Sequence, residues 1–164
     1  MLISHHNRYA IPANMHVYVV MAYMEEYVHA DDISVDYKYL AEKFEWKKWF
    51  EVHQANVGER RLKLLDVACG SGKFPSALVQ YAKLSDAKIL PVEYGLLDPS
   101  SFSIAETRKV LRFPFEVSSE FETTLQEFSC EQGAYDIIWA THALYAVPKH
   151  ELKEALKRFI FGMA

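Results

Sequence analysis

The sequence predicts an α/β fold, a doubly wound parallel sheet that follows a pair of N-terminal helices. Short apolar runs alternate with helical runs from residue 59 onwards, which is typical of parallel strands joined by crossover helices. The first apolar run, "LKLLDVA", ends in the turn "CGSG", which is rich in small residues. The chain has 164 residues, of which 51% are hydrophobic, enough for one packed domain.

Residues 1–58 are predicted to form an N-terminal helical cap, with helices over 13–30 and 35–55. Ser34 is a plausible N-cap for the second helix, and Gly58 is a plausible stop. Six aromatic side chains in this segment either pack in the core or form a cage for a cationic substrate. They are Tyr37, Tyr39, Phe44, Trp46, Trp49 and Phe50.

Residues 59–164 are predicted to form the sheet and its helices. Strands are expected over 62–68, 92–98, 113–119 and 135–141, and helices over 76–84, 100–112 and 148–161. Right-handed crossovers place the strand tips along one edge, where ligands bind. A doubly wound sheet normally continues past four strands. We therefore expect a further segment or a second copy of the chain to cover the exposed sheet edge.

Composition argues against several partners. The net charge of −4, without a basic patch, argues against nucleic acid binding. Cys69 and Cys130 have neither metal-site nor disulfide spacing, which favours a reducing, cytoplasmic location. The N-terminus lacks a signal pattern, and the apolar run 15–24 is too short to span a membrane. The sequence indicates no metal ion.

The glycine turn excludes one ligand class and disfavours another. A phosphate-binding P-loop needs a glycine where Val67 stands and a hydroxyl where Phe74 stands, so we reject it. Gly70 and Gly72 fit the first two glycines of the dinucleotide fingerprint, but Pro75 stands at the position of the third. A dinucleotide-binding domain therefore stays a weak alternative.

Asp66, Gly70 and Gly72 fit the pattern acid-x-x-x-G-x-G, which resembles motif I of class I S-adenosylmethionine-dependent methyltransferases. "YGLLDPS", which ends the second strand, and "YDIIWATHALYAVP" also resemble that family. The resemblance implies a Rossmann-like sheet of methyltransferase type, incomplete at the C-terminus. It also implies S-adenosyl-L-methionine as cofactor and S-adenosyl-L-homocysteine as product.

The resemblance also implies roles for individual residues. Asp98 would accept hydrogen bonds from both ribose hydroxyls, and Asp66 from the turn or the cofactor ammonium. The runs "LLDPSSFSI", "VSSEFETTL" and "ATHALYAV" are similar to histamine N-methyltransferase-like enzymes. The implied cofactor-binding set is Asp66, Ala68, Cys69, Gly70, Ser71, Gly72, Asp98, Pro99, Ser103, Ser118, Ser119 and Thr141. His142 and Tyr145 would be the catalytic residues, facing the acceptor.

Structural interpretations of the same residues stay open. Asp66 can cap the turn, and Asp98 can be the N-cap of the next helix, with Pro99 at its first position. His142 can be a general base or a hydrogen-bonded structural residue, and Asp136 is expected to be structural. The sequence thus predicts methyl transfer to a nitrogen or oxygen of a small-molecule acceptor. The alternative is a non-catalytic methyltransferase-like module, or a fragment of a larger biosynthetic protein.

Overall fold

A computed structural model describes residues 33–141, 143–144 and 147–162 of the chain. The described elements run α1 (Ile33–Lys43), α2 (Trp46–Val57), β1 (Lys63–Val67), α3 (Lys73–Gln80), a 3₁₀ turn (Leu84–Asp86), β2 (Val92–Leu97), α4 (Ser101–Val110), β3 (Phe115–Phe121), β4 (Ile137–Ala140) and α5 (Lys149–Gly162). The helix predicted over 13–30 lies outside the described residues.

The four strands form one parallel sheet in the order β3-β2-β1-β4. The central strand β1 pairs with both β2 and β4: the chain runs from β1 to β2 and β3 on one side, and then crosses back to β4 on the other side of β1. This arrangement places a topological switch point at the carboxyl end of β1, where open α/β sheets bind ligands. The predicted doubly wound parallel sheet is therefore confirmed. Among the described strands β4 pairs only with β1. That a further segment or a second copy of the chain covers its outer edge stays a prediction.

The predicted helix over 35–55 is wrong in one respect, because it is two helices separated at Phe44 and Glu45. The indole N–H of Trp46 donates to the carbonyl of Leu40 at 2.8 Å, which fastens the start of α2 to α1. Gly58 ends α2 with a φ of +71°, as predicted. Ser34 lies inside the first turn of α1 rather than at its N-cap.

Both faces of the sheet are covered. On one face, α1, α2 and α3 enclose an aromatic core against β2 and β4, which includes Trp46, Phe50, Phe74, Tyr94 and Trp139. Adjacent rings meet edge to face, as aromatic pairs prefer. Because Trp46 and Phe50 are buried here, these two rings are core residues and do not line a cage.

The other face of the sheet carries a smaller apolar cluster. Leu65, Val67 and Ile138 pack there with Phe128, in the segment before β4, and with Ala155 of α5. The aromatic and aliphatic clusters thus sandwich the sheet, as a doubly wound fold requires. No helix in the described part of the chain is long and apolar enough to cross a membrane.

Ion pairs tie the elements together at the amino edge of the sheet. The guanidinium of Arg60 donates to both carboxylate oxygens of Asp136, at 2.6 and 2.7 Å, and the backbone N–H of Lys63 adds a third bond at 2.9 Å. Arg61 pairs with Glu116 at 2.6 Å in a more exposed position. Asp136 therefore joins the lead-in of β1 to the start of β4, the structural role expected of it.

We expect Asp136→Asn to lower the free energy of unfolding by about 1–3 kcal/mol, because a buried carboxylate loses its charge-assisted bonds. Glu116→Gln is the matched control at the same edge. Its pair is exposed, and we expect a loss below about 0.5 kcal/mol. Urea unfolding of both variants measures the two losses. Equal losses would contradict the structural weight given to Asp136.

Candidate functional site

The glycine turn connects β1 to α3 through an unusual backbone path. Ala68, Gly70 and Gly72 all have positive φ angles, of +54°, +56° and +71°. The Cys69 N–H donates to the carbonyl of Leu97 at 3.2 Å, and the Gly72 N–H donates back to the Cys69 carbonyl at 3.1 Å. The chain therefore turns tightly at the carboxyl edge of the sheet before α3 begins.

The two glycines of the turn differ in what surrounds them. A Cβ on Gly72 would lie 2.6 Å from Val110 Cγ2 and 3.2 Å from Thr107 Cα, so this glycine lets α4 pack against the turn. Among the described residues, a Cβ on Gly70 would meet only the Ala68 carbonyl oxygen, at 3.9 Å. The described part of the chain therefore leaves this side of Gly70 open, and a glycine without a Cβ lets another group approach the backbone closely.

Asp98 follows β2 and reaches across to the glycine turn. Its Oδ2 accepts the Gly70 N–H at 3.1 Å, and its Oδ1 accepts the Ser100 N–H at 2.9 Å. The N-cap of α4 is Ser100, whose hydroxyl accepts the Ser103 N–H at 3.3 Å, so the N-cap interpretation of Asp98 is wrong. A carboxylate has about four acceptor positions, and two of those on Asp98 are used by backbone N–H groups.

Thr107 contacts the same turn from the opposite side. Its hydroxyl donates to the Gly70 carbonyl at 2.8 Å, and the side chain is fully buried. The sequence analysis missed this residue. Thr107 follows Ile104 by three positions on the buried side of α4. A polar residue on a buried helix face is the signal that could have found it.

Asp66 faces the aromatic core. Its Oδ2 accepts the Tyr94 hydroxyl at 2.7 Å, while its Oδ1 has no hydrogen-bond partner among the described residues. Burial raises the pKa of the Asp66 carboxyl to about 7, against the opposing effects of Tyr94 and Trp139. The Trp139 N–H is close enough to lower this pKa, yet it forms no hydrogen bond of good geometry. In the described structure no N–H of the turn reaches Asp66, which does not support the turn-cap interpretation.

Cys69 contributes its backbone to the turn, and its thiol is buried. Burial raises the pKa of that thiol to about 12, so it stays protonated at neutral pH. Among the described residues, no group of three or more His, Cys, Asp or Glu side chains could hold a metal ion.

Several predicted cofactor-binding residues gather at the carboxyl edge of the sheet. Ala68, Ser71 and Pro99 are exposed beside the turn. Ser103 lies in the first turn of α4, and the buried Thr141 directly follows β4.

Ser118 and Ser119 lie within β3, three and two residues before its end at Phe121. Ser118 is the extra residue of a β-bulge, and the Ser119 hydroxyl lies 2.9 Å from where a Cβ on Gly95 would be. Both serines are therefore further from the strand tip than the other predicted residues. The predicted catalytic residues His142 and Tyr145 lie outside the described residues.

An open cavity of about 430 Å³ lies at the amino edge, away from this site. It is lined by Gln54, Gly58, Glu59, Lys88, Ile89 and Leu90. The Gln54 amide already bonds the carbonyls of Gly58 and Arg60 and the N–H of Leu90. The Gln54 amide is therefore used in holding the fold together, and the other polar side chains that line this cavity are Glu59 and Lys88.

No protein-family model and no curated protein matches the sequence. Among solved structures, the trans-methyltransferase CalH in complex with SAH matches with a TM-score of 0.57 and 18% identity. The match covers 83% of this chain and 38% of CalH. Magnesium protoporphyrin IX methyltransferase from Synechocystis PCC 6803, with bound SAM, matches with a TM-score of 0.52 and 18% identity, over 84% of this chain and 60% of that one.

This chain has the fold of class I S-adenosylmethionine-dependent methyltransferases. The plantazolicin methyltransferase BpumL, in complex with a triazolic analogue and SAH, also matches, with a TM-score of 0.50 and 18% identity. It is matched over 82% of this chain and 48% of that one. The chain thus spans 38–60% of the length of these three methyltransferases.

Alanine substitutions at Gly70 and Gly72 should lower the free energy of unfolding by different amounts. Gly70→Ala should lower the free energy of unfolding by about 1–2 kcal/mol, the cost of a left-handed alanine. Gly72→Ala should lower the free energy of unfolding by roughly 1–3 kcal/mol more than Gly70→Ala does, because its Cβ collides with α4. Chemical denaturation of both variants compares them. A Gly70→Ala protein that is the less stable of the two would contradict the described packing.

The buried carboxyl of Asp66 should make the free energy of unfolding depend on pH. Its folded-state pKa of about 7 lies above the ordinary carboxyl value, so the folded chain holds an extra proton between about pH 4 and 7. The free energy of unfolding should therefore fall as pH rises through this window, by roughly 1.4 kcal/mol per pH unit.

Asp66→Asn should flatten this slope and be more stable than the natural chain at pH 8. Asp86→Asn, at an exposed position, is the control and should leave the slope unchanged. Urea unfolding between pH 5 and pH 8 measures both. An unchanged slope in Asp66→Asn would show that Asp66 is not the titrating group.

Proposed function

We propose that this chain binds S-adenosyl-L-methionine at the carboxyl edge of β1 and β2 and transfers its methyl group to an acceptor. The observation that carries the proposal is the bond from the Gly70 N–H to Asp98 Oδ2, at 3.1 Å. It brings the open backbone of the glycine turn next to a carboxylate at the tip of the adjacent strand. A nucleoside with two ribose hydroxyls and no phosphate fits that pair of features.

The residues present fit the cofactor in their donor and acceptor chemistry. Asp98 would accept from the ribose hydroxyls through the acceptor positions that Gly70 and Ser100 leave unused. The side of Gly70 that the described residues leave open would admit the ribose and methionine part against the backbone. CalH and BpumL hold SAH, and the protoporphyrin methyltransferase holds SAM, in structures of the same fold.

The bound cofactor would supply an electrophilic methyl group on a sulfonium. The chain's own residues would then align the cofactor, exclude water and bind the acceptor. Asp66 is too deeply buried to reach into the open side of the turn without rearrangement, so we assign it a supporting role in the core. We propose that Thr141, Ser103 and Pro99, which lie at the same edge of the sheet, complete the nucleoside site.

For the acceptor we propose a small molecule that presents a nitrogen or an oxygen. An amine needs only to be neutral when it attacks, whereas a hydroxyl needs a base, for which His142 is our candidate with Tyr145 beside it. The N-terminal helical segment, residues 1–58, is proposed to cover the acceptor. The described helices α1 and α2 already bury Ala41, Trp46 and Phe50 in the core. A reducing, cytoplasmic compartment suits the free thiols of Cys69 and Cys130.

Isothermal titration with S-adenosyl-L-homocysteine tests the proposal. We expect binding by the natural chain. Asp98→Asn should bind roughly 10- to 100-fold more weakly, because hydroxyl bonds to a charged acceptor are lost. Asp86→Asn is the control and should bind normally.

Absence of binding by the folded natural chain would refute the cofactor assignment. Equal affinity of Asp98→Asn would refute the role of Asp98 alone. Binding without methyl transfer to any of a panel of amines and phenols would favour the non-catalytic module.

A further inference from the structure

We propose that Thr107 is a positioning residue for the cofactor site, and that its hydroxyl holds the Gly70 peptide in the orientation that receives the nucleoside. This inference rests on the proposed function, because it assumes that the open side of Gly70 is the cofactor face. It concerns a residue of α4 that lies 37 positions away from the glycine in the sequence.

The Gly70 residue is held at both of its polar backbone groups. Its N–H donates to Asp98 Oδ2 at 3.1 Å, and its carbonyl accepts the Thr107 hydroxyl at 2.8 Å. The hydroxyl lies 3.4 Å from the Cys69 carbonyl, so its single proton belongs to the shorter bond to Gly70. Glycine has more backbone freedom than any other residue, so two fixed bonds are an effective restraint on this one.

Packing and hydrogen bonding make one unit of the turn, α4 and Asp98. Val110 and Thr107 fill the space beside Gly72, where a Cβ would collide with them. At the start of the same helix, the Ser100 N–H fixes the other oxygen of Asp98. Because α4 is a continuous helix from Ser101 to Val110, it fixes the position of the Asp98 carboxylate near its start and of the turn backbone near its end.

A purely space-filling role does not account for the hydroxyl of Thr107. Threonine inside a helix commonly returns its hydroxyl proton to the carbonyl four residues earlier. Thr107 instead donates out of its helix, to the turn. Valine would fill the same volume, so the hydroxyl is the part of the side chain that needs an explanation.

Preorganisation gives the bond a consequence for binding. A turn that is already in the receiving conformation loses less conformational freedom when the cofactor binds. Loss of the hydroxyl should therefore weaken cofactor affinity even in a protein that remains fully folded. Hydrogen exchange at the Gly70 amide should become faster at the same time, since only one of the two polar backbone groups of this residue is then held.

The test compares S-adenosyl-L-homocysteine affinity by isothermal titration in the natural chain and three variants, well below their unfolding temperatures. Thr107→Val removes the hydroxyl and keeps the shape, and we expect roughly 2- to 10-fold weaker binding. Thr107→Ser keeps the hydroxyl and should bind within about 2-fold of the natural chain.

Ser76→Ala is the matched control. It also removes a hydroxyl that donates to a turn carbonyl, that of Gly72 at 2.7 Å. That bond lies within the first turn of α3, away from the open face of Gly70, so affinity should not change. If Thr107→Val does not fold, Thr107→Ala against Thr107→Ser isolates the same hydroxyl.

Weaker binding by the variants without the hydroxyl, rescued in Thr107→Ser, supports the inference. Equal affinity of Thr107→Val and the natural chain overturns it and leaves the proposed function intact. Equal weakening of Thr107→Val and Thr107→Ser also overturns it, because packing would then be the cause. Absence of binding by the natural chain overturns the proposed function itself.

Discussion

The structure depends on how the backbone at Gly70 is held at the carboxyl end of β1. Within the described part of the chain, this glycine has no side-chain packing beside its Cα to fix it. Its restraint comes from two neighbours instead, the carboxylate of Asp98 and the hydroxyl of Thr107. Gly72 then allows α4 to approach closely enough for the hydroxyl to reach. The open face and the close packing are thus two requirements met by two different glycines.

The aromatic core behind β1 creates a second constraint. Asp66 occupies a strand position whose neighbours on the same face are apolar or aromatic, and among the described residues Tyr94 alone donates to it. The carboxyl is therefore held in its neutral form over much of the acidic range. An apolar residue at position 66 would pack into this core without that pH dependence. The Tyr94 hydroxyl bond and the pH dependence are what the carboxyl adds to this core.

Much of the fold could be predicted from the sequence, because buried parallel strands and amphipathic helices differ in length and period. The four strands match their predicted ranges within two residues at each end. The break at Phe44 was missed because the apolar period continues through it, and only the bond from Trp46 to Leu40 marks the new helix. The 3₁₀ turn at Leu84–Asp86 was missed because such short pieces carry no periodic signal.

The site was predicted less completely than the fold. The Asp98–Gly70 proximity follows from adjacent strand tips, which the alternation of elements already implies. Assigning the α4 N-cap was harder, since Asp98, Ser100 and Ser101 are all good capping residues in sequence. Thr107 could not be found from any motif, because its partner is distant in the chain and the bond exists only after α4 has packed on the turn.

The two edges of the sheet use different chemistry, and the difference bears on ligand binding. Arg60 and Arg61 neutralise carboxylates at the amino edge, so those acids are committed to the fold. At the carboxyl edge the recorded partners of Asp98 are both backbone N–H groups. A guanidinium in contact with Asp98 would compete with neutral hydroxyls for the same oxygens and would win, since charge-assisted bonds are the stronger ones. Two backbone N–H groups orient the carboxylate, and no other donor among the described residues occupies its remaining acceptor positions. Under the proposed function, those positions would accept the neutral hydroxyls that a ribose presents.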